Sequence, residues 1–127
     1  MERIESPRTD DASIESEIVA KGLTAPRVTP ADIEANIASA HYFTAFDGAQ
    51  LGQYGGITSE APGAIPALSL LTFCVLVLRN GFTVTGESAC ASPENFDAEI
   101  GRKIARANAI SKVWPLMGYA LKERLSF

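Results

Sequence analysis

An α+β fold is predicted, with an antiparallel β-hairpin or larger sheet packed against an N-terminal helix and a long C-terminal helix. Three observations predict it. Asn80-Gly81 is a favoured two-residue hairpin turn, flanked on both sides by β-branched and aromatic residues. Thr29-Pro30-Ala31-Asp32 and Ser92-Pro93-Glu94 each read as a helix start, with a hydroxyl cap, a proline at the first helical position and an acid near the positive end of the dipole. At 127 residues the chain has the length of one domain and can bury a core without disulfides.

Taken in order, residues 1–26 hold six acids, three bases and few bulky apolar side chains, and read as a mobile acidic tail. Ile14, Ile18 and Val19 offer the alternative of a short helical patch. Residues 27–127 form the single domain. The helix opened at Thr29 carries Ile33, Ile37 and Ala40 as one apolar stripe, and His41 to Ala45 follows as a short strand. Residues 46–66 contain five glycines and two prolines, which is loop chemistry.

A type I′ turn at Asn80-Gly81 sets a register. Arg79 faces Phe82, Val77 faces Val84, Val75 faces Gly86 and Phe73 faces Ser88; Leu78, Leu76 and Cys74 face Thr83, Thr85 and Glu87 on the other side. Both sides carry apolar residues, so both call for cover, and a second chain is a candidate for one of them. The helix opened at Ser92 should end near Val113, because Pro115 lacks an N–H and clashes with the preceding turn. Phe96, Ile100, Ile104, Ala107, Ile110 and Trp114 cluster on one side of it and are assigned to the core.

The net charge of −4 and pI near 4.9 disfavour binding to duplex nucleic acid, which draws its affinity from a basic excess. The apolar run from Ala67 to Leu78 is too short to cross a bilayer. Two cysteines, Cys74 and Cys90, and a polar rather than apolar N-terminal segment point to a reducing cytoplasm.

Gly86-Glu87-Ser88-Ala89-Cys90 matches four of five positions of a G-x-S-x-G nucleophile elbow, but Cys90 replaces the last glycine and His41 is the one histidine available to a triad. A strand-end hydroxyl is the favoured reading of Ser88, and a small buried hydrophobe that of Cys74. No metal-ligand spacing occurs, and Gly52-Gln53-Tyr54-Gly55-Gly56 lacks the lysine of a phosphate loop; no metal or cofactor is expected. His41 reads as a hydrogen-bonded residue at a helix end. Arg102, Lys103 and Arg106 form a basic cluster in which Arg106 has no acid partner on its own helix. Such a cluster is either a solvated flank or a seat for a compact anion, which arginine forks suit. Phe82 beside Arg79 adds either cross-strand packing or a stacking surface.

Asn80-Gly81-Phe82, Glu87-Ser88-Ala89-Cys90, Pro93-Glu94-Asn95-Phe96-Asp97, Glu99-Ile100-Gly101-Arg102-Lys103 and Lys112-Val113-Trp114-Pro115-Leu116 with Gly118-Tyr119 resemble the small phage proteins named after gene product forty-nine of one enterobacterial phage and gene sixty-six of another. The resemblance runs from about Thr29 to Leu121 and is most specific from Leu71 to Tyr119. That family is similar to the first type of Thoeris anti-defence protein, sponges that hold cyclic ADP-ribose isomers, and in some members cyclic oligonucleotides, without degrading them. The resemblance implies an α+β protomer assembled as a dimer or hexamer, a cyclic nucleotide ligand, no catalytic residue, and ligand pockets between protomers. Arg102, Arg106, Phe82, Asn95, Glu87 and Arg79 are the ligand-binding candidates. A phage accessory protein that binds a host protein is the alternative.

Overall fold

In a computed structural model, residues 10–51 and 65–127 are described. The elements are α1 (Asp11–Ala20), α2 (Pro30–Ala35), β1 (Ile37–Thr44), α3 (Ala45–Leu51), α4 (Ile65–Leu68), β2 (Leu71–Leu78), β3 (Thr83–Ala89) and α5 (Ala98–Leu125), with a 3-10 turn at Pro93–Asn95 before α5. The three strands form one antiparallel sheet in the order β1-β2-β3. The long helix α5 lies across one face of it, so the α+β class holds.

The hairpin differs from the expected one by a single residue. Leu78 N donates to Phe82 O at 2.8 Å and Gly81 N donates to Leu78 O at 2.8 Å, so the loop is Arg79-Asn80-Gly81 rather than Asn80-Gly81. Gly81 has φ +91°, and among the described residues no non-glycine has positive φ. A type I′ turn needs positive φ at both central residues, whereas a three-residue loop needs it only at its last, where glycine bears no steric penalty. The slip moves every pairing: Phe73 faces Glu87, Cys74 faces Gly86, Val75 faces Thr85, Leu76 faces Val84 and Val77 faces Thr83. As a result Cys74, Leu76, Leu78 and Val84 share the helix-covered face and are all buried.

The first helix of the domain is shorter than the apolar stripe suggested. Thr29 and Asp32 cap α2 reciprocally, Thr29 Oγ1 accepting from Asp32 N at 3.1 Å and Asp32 Oδ2 from Thr29 N at 2.9 Å. It nevertheless ends at Ala35, and Ile37 and Ala40 belong to β1, which starts four residues before the expected strand. Strand pairing with β2 overrides a periodicity that rested on only three residues. Part of the expected 46–66 loop is helical, as α3 and α4; the remaining glycine-rich part, including Gly52 to Gly56, lies outside the described residues.

The last helix starts later and ends later than expected. Ser92 makes no side-chain cap; Asp97 does, its carboxylate accepting from Ile100 N at 3.0 Å. Pro115 sits inside α5 on its exposed side, and the helix continues to Leu125. The face turned to the sheet is Gly101, Ala105, Ala109 and Val113, not the larger apolar residues: Ile100 is exposed, and Ile104, Ile110 and Trp114 are half-buried at the margins. Small side chains let the helix backbone approach β3 closely, and at that range bulky ones fit only along the sides.

Where a tail was expected, Asp10 caps α1, accepting from Ser13 N at 2.7 Å. Among the described residues, two polar side-chain contacts tie α1 to the domain. Arg27 donates from both terminal nitrogens to the Glu15 carboxylate at 2.6 and 2.7 Å, and Trp114 Nε1 donates to Asp11 at 3.2 Å. The Arg27 bond holds the Glu15 carboxyl below the usual glutamate range. Glu15 therefore contributes stability that is complete above about pH 4.3, the ordinary glutamate value, and is lost as pH falls through its lowered folded value. Amide exchange in α1 should accelerate selectively between pH 5 and 3, relative to intrinsic rates, while β2 stays protected; equal protection at both pH values would contradict this.

Candidate functional site

The sheet's two faces differ. On the face under α5 the core is Ile33, Cys74, Leu76, Leu78, Val84, Ala105, Ala109 and Val113. Burial pushes the Cys74 thiol up, which keeps it protonated, in line with its reading as a small hydrophobe. On the other face Phe43 and Phe73 stack with ring centroids 5.6 Å apart, followed along β2 by Val75 and Val77. Phe43 is exposed and the three β2 residues are half-buried, with Thr83, Thr85 and Glu87 exposed beside them on β3.

This arrangement bears on the nucleophile motif. Ser88 pairs with Thr72 on the helix-covered face, while His41 pairs with Val75 on the open face. A serine and a histidine on opposite faces of a sheet cannot exchange a proton. His41 is on β1 rather than at a helix end, and its Nε2 lies 3.0 Å from Ser39 Oγ. The Cys90 thiol donates to Ser92 O at 3.2 Å.

The six candidate ligand residues are distributed over several places. Arg79 and Phe82 belong to the hairpin loop and its edge; Phe82 is exposed, and Arg79 Nε donates to Ala35 O. Glu87 stands on the open face, and its backbone carbonyl accepts from Asn108 Nδ2 at 2.8 Å. Asn95, in the 3-10 turn, lines a cavity of about 240 Å³ with Ser88, Cys90, Asp97 and Ile100. Arg102 lines a hollow of about 120 Å³ where β1 leads into α3, together with Tyr42, Phe43, Thr44, Asp47 and Phe96. Phe96 borders both spaces.

Arg106 is not the unpaired cation that its helix suggested. Both terminal nitrogens donate to Glu34 of α2, at 3.2 and 3.0 Å, and this bond raises the Arg106 pKa. Lys103 pairs with Glu99 at 3.5 Å with both side chains mostly exposed. Arg102 has no ion-pair partner among the described residues, and is the cation of the cluster best able to meet a ligand. Replacing Arg106 or Glu34 by alanine should each cost up to about 1 kcal/mol of stability, since the pair is partly exposed. A double-mutant cycle by chemical denaturation measures it, and a coupling near zero would mean that the pair is incidental.

Sequence reasoning passed over the ring of Arg102 neighbours. Tyr42 and Phe43 are adjacent in β1 and hence on opposite faces, yet both reach the hollow at the strand end. Phe96 was assigned to the helix core, but it precedes the Asp97 cap. A capping reading of Asp97-Ala98-Glu99-Ile100 would have placed Phe96 outside the helix.

Thr72 Oγ1 is buried, has no hydrogen-bond partner among the described residues, and sits beneath Gly101, where a Cβ would lie 3.0 Å from it. No helix among the described residues is long and apolar enough to cross a membrane. No curated protein and no solved structure matches the chain. The model of the Phage protein (N4 Gp49/phage Sf6 gene 66) family matches residues 28–125, from just before α2 to the end of α5, and the chain therefore belongs to that family of phage proteins.

Proposed function

We propose that this phage protein binds and sequesters a cyclic nucleotide immune signal, a cyclic ADP-ribose isomer or a cyclic oligonucleotide, without degrading it. The observation that carries the reading is Arg102, unpaired among the described residues and set beside Tyr42, Phe43 and Phe96. A guanidinium next to aromatic rings offers what a nucleotide needs to be held: a fork for phosphate and a surface for the base. Asp47 and Asn95 supply polar partners for ribose and base. The similarity of the family to Thoeris anti-defence sponges favours the same reading.

The hollow's 120 Å³ suits a phosphate or ribose and falls well below the volume that encloses a whole small ligand. On this reading a second copy of the chain completes the site. The open sheet face, with Phe43, Phe73, Val75 and Val77, is the surface such a copy would cover, and Phe43 belongs to both that face and the hollow. The same face favours a second reading, a non-enzymatic accessory protein that binds a host protein there.

Incubation with cyclic ADP-ribose isomers and cyclic di- and trinucleotides, removal of free ligand, heat unfolding and assay of what is released separates these readings. Intact ligand, recovered from a protein that light scattering shows to be a dimer or larger at micromolar concentration, is expected. Altered ligand would indicate a cleaving enzyme, and absence of uptake would leave the accessory reading. A monomer that binds ligand at full stoichiometry would overturn the shared site.

A further inference from the structure

On the far side of the domain from the Arg102 hollow's strand ends, α2, the β2–β3 loop and the last turns of α5 line an open groove of about 530 Å³. Its cations come from three separate elements: Arg27 precedes α2, Arg79 belongs to the hairpin loop and Arg124 to the last turn of α5. Val28, Met117 and Leu121 give it an apolar lining. Three guanidiniums converge here on a chain whose net charge is −4.

The three are not equivalent. Arg27 is committed to Glu15. Arg79 is anchored: its backbone N donates to Asn36 O at 3.0 Å and its Nε to Ala35 O, while its two terminal nitrogens have no partner among the described residues. Arg124 has no ion-pair partner among them either, and the negative end of the α5 dipole stabilises its charge there. Asp32 is the one acid lining the groove among the described residues, held ionised by its bond from Thr29 N. With Arg27 neutralised by Glu15 and one charge offset by Asp32, the groove has a surplus of about one positive charge, which suits a small head group rather than a polyphosphate.

We propose that this groove is a second ligand site, selective for an amphipathic anion: a phosphate monoester or carboxylate gripped by Arg79 and Arg124, joined to a flat apolar body that lies against Met117 and Leu121. Anchoring Arg79 through Nε leaves its terminal nitrogens as a pre-set fork for the head group. The apolar lining provides the part of the affinity that a bare anion cannot use.

Calorimetric titration of the full chain with 1-naphthyl phosphate, inorganic phosphate and 1-naphthol tests this. One naphthyl phosphate per chain is expected, at least tenfold tighter than either fragment. Arg124→Gln, which disturbs no ion pair among the described residues, should weaken it at least tenfold. Arg79→Lys, which keeps charge but not the fork, should weaken it by a smaller factor. Arg102→Ala should leave it unchanged, so the groove is judged independently of the cyclic nucleotide reading. Unchanged affinity in Arg124→Gln, equal affinity for inorganic phosphate, or loss in Arg102→Ala would overturn the assignment.

Discussion

Replacing Gly86 with valine is expected to cost about 3 kcal/mol of stability or more, enough to lower the melting temperature by about 10 °C. Gly86 lies on β3 where α5 crosses the sheet. A Cβ there would stand 2.9 Å from Ala109 Cα and closer still to Ala105 O and Ala109 N. These atoms are helix backbone, which has no rotamer to change, so the helix as a whole must lift from the sheet. Lifting it would loosen the packing of Leu76 and Val84 against Ala105 and Ala109. Gly118→Ala is the control: nothing lies within 4 Å of its added Cβ, and alanine in α5 should be stabilising by about 0.5–1 kcal/mol. Thermal and chemical denaturation of both variants decides the matter; a Gly86→Val protein as stable as the parent would mean that the helix does not approach β3 this closely.

Arg102→Ala should weaken cyclic nucleotide capture by about 2 kcal/mol, a loss of roughly 30-fold, because it removes a charge-assisted bond and leaves a phosphate short of a donor. Arg102→Lys should fall between, keeping the charge and losing the fork. Arg106→Ala should have a smaller effect on capture, since its guanidinium is already held by Glu34. Calorimetric titration with a cyclic ADP-ribose isomer, after checking that assembly is unchanged, measures all three. Parent-like affinity in Arg102→Ala would make the basic cluster a solvated flank and remove the residue on which the site rests.

The parts of the fold legible in the sequence were those set by a few adjacent residues. Thr29-Pro30-Ala31-Asp32 forms a reciprocal cap because its chemistry is complete within four positions. The hairpin was legible for the same reason, although its loop has three residues and not two. That one-residue difference depended on whether Asn80 adopts positive φ, which the pairing of Leu78 with Phe82 decides. The end of α5 was misjudged because a proline is incompatible with the ladder at one position only, and here it falls on the exposed side.

The site was less legible because it joins elements remote in sequence. Arg102 could be picked out as a cation, but its having Phe43 and Tyr42 for neighbours depends on where β1 ends, and Arg106 having Glu34 depends on where α2 packs. The sequence by itself determined the α+β class, the hairpin, the capped start of α2 and the family. Tertiary structure alone decided the strand register, the small-residue face of α5, the docking of α1 and the sorting of arginines into paired and unpaired. The physical reason is range: caps and turns are closed by bonds spanning two to four residues, whereas register, helix approach and ion pairing are settled by which distant surfaces exclude water together.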